Sequence, residues 1–289
     1  QLGMLISGNT FEQQRPNGMA AVTLNQVSAC QVHSNRFSGV VYNAQIRVTN
    51  SDDSIGQPTR VYNNSIAVDF NPNGVFGLNA PILIEGFSDT SSAFPDSKDG
   101  IELAFNTIKV RCLGNSASTS LNYGLIHAVD NTFGTVAPTS PFVNLSIYNN
   151  NLYAESVAGS VIPSSWAALL LESDSIALRC SSNFNNFYFR PISGQTQLGN
   201  LVSIQLLNLS FGTCSAWTAA YNKDSNSVSL NPVFAGANLS IPLSASFNDL
   251  GSPFGGIGSD IIGVTRNTTT PDIGAFEFTP SPNDVGVVA

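Results

Sequence analysis

Apolar and polar positions along the chain fall into a short pattern that returns at irregular intervals. Written as spacing, it is apolar-x-apolar-x-x-Asn-x-apolar. The copies are Met4, Ile6, Asn9, Phe11; Cys30, Val32, Asn35, Phe37; Thr59, Val61, Asn64, Ile66; and Ile101, Leu103, Asn106, Ile108. They continue with Ile126, Ala128, Asn131, Phe133; then Leu145, Ile147, Asn150, Leu152; then Cys180, Ser182, Asn185, Phe187. Ile204, Leu206, Leu209 and Phe211 fit the same template with the Asn replaced. A fixed motif with variable spacers predicts a stack of similar units rather than a single globular core.

Two apolar residues two apart share one face of a strand. The Asn, three residues after the second, breaks the alternation. It reads as a corner, because Asn tolerates left-handed backbone and bonds nearby backbone groups. Each copy is therefore strand, Asn corner, strand. Stacking would place Asn9, Asn35, Asn64, Asn106, Asn131, Asn150 and Asn185 in one amide ladder, and the apolar positions in internal columns. Spacings between successive Asn residues run from 19 to 42 residues. The longer gaps predict excursions, the largest over 71–99 and the next over 153–175, with a short helix around Trp166–Leu171. His33, beside a corner, and His127, between inward Ile126 and Ala128, are expected to face outward.

Composition narrows the function. Only 10% of residues are charged, the net charge is −8, and there are 11 Lys and Arg. A basic stripe is absent, which argues against nucleic acid as a partner. No apolar run approaches the ~20 residues of a membrane span. Neutral polar residues must cover the surface, as suits an extracellular protein in contact with sugars. Gln1 begins close to the first strand, and NDVGVVA at 283–289 reads as the entry to another module. The expectation is a piece of a longer secreted protein. The four cysteines have no CxxC spacing, which disfavours zinc or redox chemistry. Cys30 and Cys180 share an inward repeat position. A Cys112–Cys180 or Cys180–Cys214 bridge is left open.

After about residue 212 the pattern changes. Trp217, Asp224, Asn231-Pro232 and Phe234 are followed by Gly251-Ser252-Pro253, Asp260, Gly263, Arg266 and Asp272-Ile273-Gly274-Ala275-Phe276-Glu277. In this order they resemble the closing segment of secreted bacterial right-handed parallel β-helix proteins with Asn-corner repeats, often large cell-surface or adhesin-like proteins. Phe254-Gly255-Gly256-Ile257-Gly258 departs from that family's usual turn. The resemblance implies an exported protein of the bacterial cell surface, with further modules on the same chain and secretion or surface-complex partners. Physically the segment reads as a cap built on Trp217, Arg266, Asp272 and Glu277. Arg266 would pair with Asp260 or Asp272.

The combined expectation is an all-β, right-handed parallel β-helix solenoid of about eight or more coils. Coils occupy 1–211, a closing segment 212–279, and a linker 280–289. Its first functional reading is a non-catalytic module that binds glycan or a surface, with Tyr148, Tyr153 and Tyr188 offered to sugars. An alternative is a carbohydrate-active enzyme, because β-helices often host lyases and hydrolases. Glycoside hydrolysis needs two facing carboxylates. Glu85, Asp89, Asp96, Asp99 and Glu102 cluster around the largest excursion, with Asp96, Asp99, Glu102 and Lys98 the first candidates. Lyase chemistry would draw on Lys98, Lys109, Arg111 or His127. Closely spaced Asp96 and Asp99 also suit calcium. No other cofactor is expected. A third reading is a structural spacer in a surface complex.

Overall fold

The computed structural model describes residues 3–13, 20–25, 27–41, 44–49, 57–70, 80–85, 100–113, 123–129, 145–157, 166–190, 200–234 and 245–278. Strands come in threes. The first rung is β1 (Leu5–Ser7), β2 (Thr10–Gln13) and β3 (Val22–Asn25). The second is β4 (Gln31–His33), β5 (Arg36–Val41) and β6 (Ile46–Thr49). The third is β7 (Thr59–Tyr62), β8 (Ser65–Phe70) and β9 (Ile82–Glu85); the fourth is β10 (Ile101–Ala104), β11 (Thr107–Cys112) and β12 (Tyr123–Val129). The fifth is β13 (Leu145–Tyr148), β14 (Asn151–Ser156) and β15 (Trp166–Leu171). The sixth is β16 (Ser181–Asn183), β17 (Asn186–Arg190) and β18 (Asn200–Ile204).

Every third strand pairs in parallel, giving three sheets ordered β1-β4-β7-β10-β13-β16, β2-β5-β8-β11-β14-β17 and β3-β6-β9-β12-β15-β18. This is the arrangement expected of a parallel β-helix solenoid. Six three-strand rungs lie among the described residues, fewer than the eight or so coils the sequence suggests. Two of the sequence copies account for much of the difference. Ile126 and Ala128 belong to the third sheet, in register with Ile82 and Ile84. Ile204 to Phe211 is an antiparallel hairpin between β18 and β19 (Leu209–Phe211).

Register turns the sequence pattern into columns. Phe37, Ile66, Ile108, Leu152 and Phe187 stack in the second sheet. Val22, Ile46, Ile82, Ile126, Leu169 and Val202 stack in the third. These side chains form one core cluster that runs the length of the stack. Trp166–Leu171 is a strand, not the expected helix. All six of its residues are buried, so both of its faces are covered. The nearby helix is instead α1 (Asp174–Arg179), N-capped by Ser173.

The corner between the first two sheets is built as the sequence implies, with one shift. The left-handed residue is the one before each Asn: Gly8, Ser34, Asn63, Phe105, Asn149 and Phe184. The Asn that follows is turned inward. Each Oδ1 accepts both the backbone N–H and the Nδ2 of the Asn one coil earlier: Asn35 into Asn64, Asn64 into Asn106, Asn106 into Asn150. The ladder passes directly from Asn106 to Asn150; Asn131 lies outside the described residues. It ends on Asp224, whose carboxylate accepts from Asn185 Nδ2 and Trp217 Nε1. α2 (Cys214–Tyr221) carries Trp217 onto the last coil.

The rest of the C-terminal segment is a strap, not an end cap. It lies along the Asn-corner flank. Asn149 Nδ2 donates to Ser252 O, Asn63 Nδ2 to Ser259 O, and Gly274 N to Asn149 O. A Cβ on Gly274, at φ +98°, would lie 2.5 Å from Thr107 Oγ1, so only glycine passes there. Buried Arg266 pins the strap. It donates to Glu277, Asn63 and the carbonyls of Asp272 and Gly274, and sits 4.0 Å from the Phe105 ring centroid. Its ion-pair partner is thus Glu277 rather than Asp260 or Asp272. Those two carboxylates instead accept backbone N–H groups of the strap itself. Among the described residues no helix is long and apolar enough to cross a membrane.

Candidate functional site

The outer face of the second sheet carries a row of charged residues. Alternation puts Ile108 and Val110 inside, so Lys109 and Arg111 point outward. Register then aligns Asp69, Arg111, Glu155 and Arg190 in one row across four rungs. Lys109, Tyr153 and Tyr188 form the row beside it. Signs alternate along the first row. Arg111 grips Asp69 with two bonds, Nε to Oδ1 at 2.6 Å and Nη2 to Oδ2 at 2.8 Å.

Glu155 is shared. Its Oε1 lies 3.5 Å from Lys109 Nζ, and its Oε2 lies 3.4 Å from Arg190 Nη1. Oε2 also accepts the Tyr153 hydroxyl at 2.7 Å. The segment after the last coil brings Phe234 over this group. Its ring meets Tyr153 edge-on at 5.0 Å and stands 4.9 Å from Lys109 Nζ. Lys109, Tyr153, Glu155, Arg190, Asn231, Val233 and Phe234 enclose a groove of about 300 Å³. That is at the small end of ligand pockets. Burial lowers the Lys109 ammonium below its ordinary range, against the pull of Glu155. Burial and Glu155 push the Tyr153 phenol up. Arg190 is held firmly charged by Tyr153 and Glu155 and stands at the mouth, its side chain 61% exposed.

The three tyrosines fare differently. Tyr153 is buried beneath Phe234 and stacked on Tyr188, so it is a wall and not an open platform. Tyr188 stays half-exposed beside the groove. Tyr148 lies against Phe254 of the strap, ring centroids 4.7 Å apart, with its hydroxyl 2.6 Å from Ser181 Oγ.

Of the enzyme candidates, the described carboxylates Glu85 and Glu102 stand on different sheets, each paired with its own arginine. Asp89, Asp96, Lys98 and Asp99 lie outside the described residues. Glu102 is paired with Arg60 at 2.7 Å, beneath Gly255 of the strap. Glu85 is buried against Arg47 on the third sheet. His127 points outward from its strand, as alternation requires, yet it is fully buried, and neither ring nitrogen has a hydrogen-bond partner among the described residues. Burial pushes it down to about 4. His33 is half-buried and stacked on Tyr62. All four cysteines are free thiols. Among the described residues no group of three or more His, Cys, Asp or Glu is arranged to hold a metal.

A second concavity of about 430 Å³ lies in the strap, lined by Asn248, Asp249, Arg266, Asn267, Glu277 and Phe278 among others. Its polar groups are spent on one another. Asp249 Oδ1 accepts from Asn267 Nδ2 and Thr270 Oγ1, and Glu277 accepts from Arg266 and from the backbone of Asn267 and Asp272. It holds the strap together.

Sequence reasoning does not single out Glu155, Arg190 and Phe234 as parts of a site. A signal for two of them is present. Asp69, Arg111, Glu155 and Arg190 each stand five residues after a ladder Asn, with alternating sign. That constant offset is enough to align them in one row. No protein-family model, curated protein or solved structure matches the chain.

Proposed function

We propose that the chain is a right-handed parallel β-helix module of a secreted bacterial cell-surface protein, and that it binds glycan without cleaving it. The right-handed winding follows the rule for parallel crossovers. The segment from Trp217 to Glu277 supports the family, and with it the surface location and further modules on the same chain. The observation that carries the binding role is the groove over the second sheet. Phe234 supplies an aromatic face for the apolar side of a sugar. Lys109, Glu155 and Arg190 supply charged donors and acceptors for its hydroxyls. All stand on neighbouring strands or the segment packed on them, so the site is preorganised and little ordering entropy is lost on binding. Calcium at Asp96 and Asp99 belongs to the same proposal, as an aid to binding.

The test is a glycan-array screen of the whole chain, with calcium and with chelator, and product analysis in the same samples. Saccharide binding without new chain ends is the expected result. Loss with chelator would assign calcium a part in binding. Shortened or unsaturated products would overturn the reading in favour of the enzyme. Silence across the array would overturn it in favour of a spacer that meets a protein partner.

A further inference from the structure

We propose that the far edge of β19 is an interface at which the chain pairs, strand against strand, with a second copy of itself. This goes beyond the glycan reading and does not depend on it. At the C-terminal end of the stack two of the three sheets are already closed. The first is covered where Asp224 N donates to Ser182 O and Asn226 N to Asn183 Oδ1. The second is covered where Phe187 N donates to Val228 O, and where the Asn186 side chain bonds both backbone groups of Leu230. The third ends on β19, which among the described residues pairs only with β18. It runs antiparallel to β18 and occupies the edge that a further parallel strand would need. Its own far edge presents backbone donors and acceptors, a template for another strand.

The surface around that edge is apolar and open. Leu206 and Leu207, in the turn before β19, are 68% and 48% exposed, and Leu209 is 41% exposed. Exposed apolar side chains grouped in this way mark an interaction site. Edge strands are commonly guarded by a charged side chain, often lysine. No Asp, Glu, Lys or Arg stands between Arg190 and Lys223, so this segment supplies no such guard. Asp174, which α1 brings to this end of the molecule, accepts the Tyr221 hydroxyl at 2.6 Å.

Two features single out a second copy as the occupant. The first is charge. Two chains of net charge −8 repel each other, least where the facing surface carries no charge. The second is the symmetry of the strand itself. Leu209 and Phe211 stand in register with the core residues Ile204 and Val202, and Ser210 with Ser203 on the other face. Antiparallel pairing about a two-fold axis at Ser210 sets Leu209 of each copy against Phe211 of the other, on the core side. Ser210 then meets its own counterpart on the outer side. The apolar column of the third sheet would continue from one copy into the next. An isologous contact uses the edge of both copies, so assembly stops at two. A three-residue strand makes a small interface, so micromolar affinity is expected, with Leu206 and Leu207 adding apolar contact.

The experiment is sedimentation velocity of the whole chain over about a hundredfold range of concentration. The weight-average mass should rise from one chain toward two and stop there. Ser210→Lys sets like charges directly opposite at the two-fold and should hold the mass at one chain throughout. Residue 210 is exposed, so the melting temperature at low concentration should stay that of the parent. Ser210→Cys, treated with diamide, should cross-link two copies, because residues facing across an antiparallel pair have Cβ atoms about 4.5–5.5 Å apart. The parent should not, since Cys30, Cys112 and Cys180 are buried and Cys214 is half-buried. A single-chain mass at every concentration would overturn the proposal and leave the edge to a strand of another protein. Growth beyond two chains would overturn the two-fold pairing. A dimer that survives Ser210→Lys, or one that Ser210→Cys does not cross-link, would place the interface elsewhere and overturn this assignment.

Discussion

The Asn corner and the outer face of the third sheet bury polar groups by opposite rules. At the corner every ladder amide from Asn35 to Asn185 is deep, and every one is answered. Asn64, Asn106, Asn150 and Asn185 are fully buried, and each bonds a like residue or Asp224 on the next coil. On the third sheet His127 is equally deep and has no hydrogen-bond partner among the described residues. Its neighbours in register are Leu83 and Leu170. A polar residue repeated in register supplies its own partners. A polar residue that occurs once on a buried face does not. Burial itself is therefore a poor guide to cost; whether the coil above repeats the group decides it.

Asn106→Leu should break this contrast most severely. Asn64 would lose the acceptor for its N–H and Nδ2, and Asn150 Oδ1 would lose the Nδ2 donor while keeping the backbone N–H of residue 106. The expected loss is about 4 kcal/mol in urea unfolding. A loss below about 1 kcal/mol would mean water can stand in for the amide. Arg266→Met comes next, at about 3 kcal/mol, because it leaves part-buried Glu277 without its cation and Asn63 without the buried guanidinium. The strap should then yield first to limited proteolysis between residues 250 and 270; cleavage no faster than in the parent would show that the strap is held elsewhere.

His127→Leu should act in the opposite direction and stabilise by about 1–2 kcal/mol near neutral pH, since it removes two unpartnered polar atoms. The gain should grow in acid. A histidine whose folded value is pushed down to about 4 contributes stability above its free value near 6.5, lost as pH falls from there toward 4. The full loss is about 3 kcal/mol. Asp272, pushed up to about 6, works against this, because its protonation between pH 6 and 3.8 favours the fold. The informative quantity is the variant-minus-parent difference at pH 7.5 and pH 5 by thermal melting. No change between the two would show that His127 is hydrated. Asp69→Asn should matter least, about 0.5 kcal/mol, as its pair with Arg111 is part-exposed. A midpoint shift above 1.5 kcal/mol would mean the alternating row is coupled along its length.

What can be read from the sequence divides along the same line. The first two sheets are legible because the Asn interrupts a period of two at a constant offset, so pattern and register come together. The third sheet has no such marker. Its columns are plain Val, Ile and Leu, and a chance Asn131 draws Ile126 and Ala128 into the Asn pattern. Trp166–Leu171 reads as helix because a strand buried on both faces has no alternation to display. For His127 the pattern gives the right direction and the wrong exposure, since alternation says which face a side chain leaves, not what covers that face. The groove joins residues from β11, β14, β17 and the segment holding Phe234. Only the offset from the ladder aligns the first three, and nothing in the repeat places the fourth. The closing segment stands out through its family resemblance, but its partners are visible only in space: Arg266 reaches back about 200 positions to Asn63.

The ladder also has a sense, like a queue in which each member faces the same way. Along it, every amide hands a hydrogen to the amide of the following coil and offers its oxygen to the preceding one. The two ends are therefore chemically unlike. At Asn185 the hydrogen goes to Asp224, a carboxylate with none to pass on, and the direction stops. At Asn9 both the backbone N–H and an amide hydrogen go to Asn35. Continuing the ladder before Asn9 would take a donor, and continuing it past Asp224 would ask a carboxylate for a hydrogen it does not have, so the queue can lengthen in one direction only.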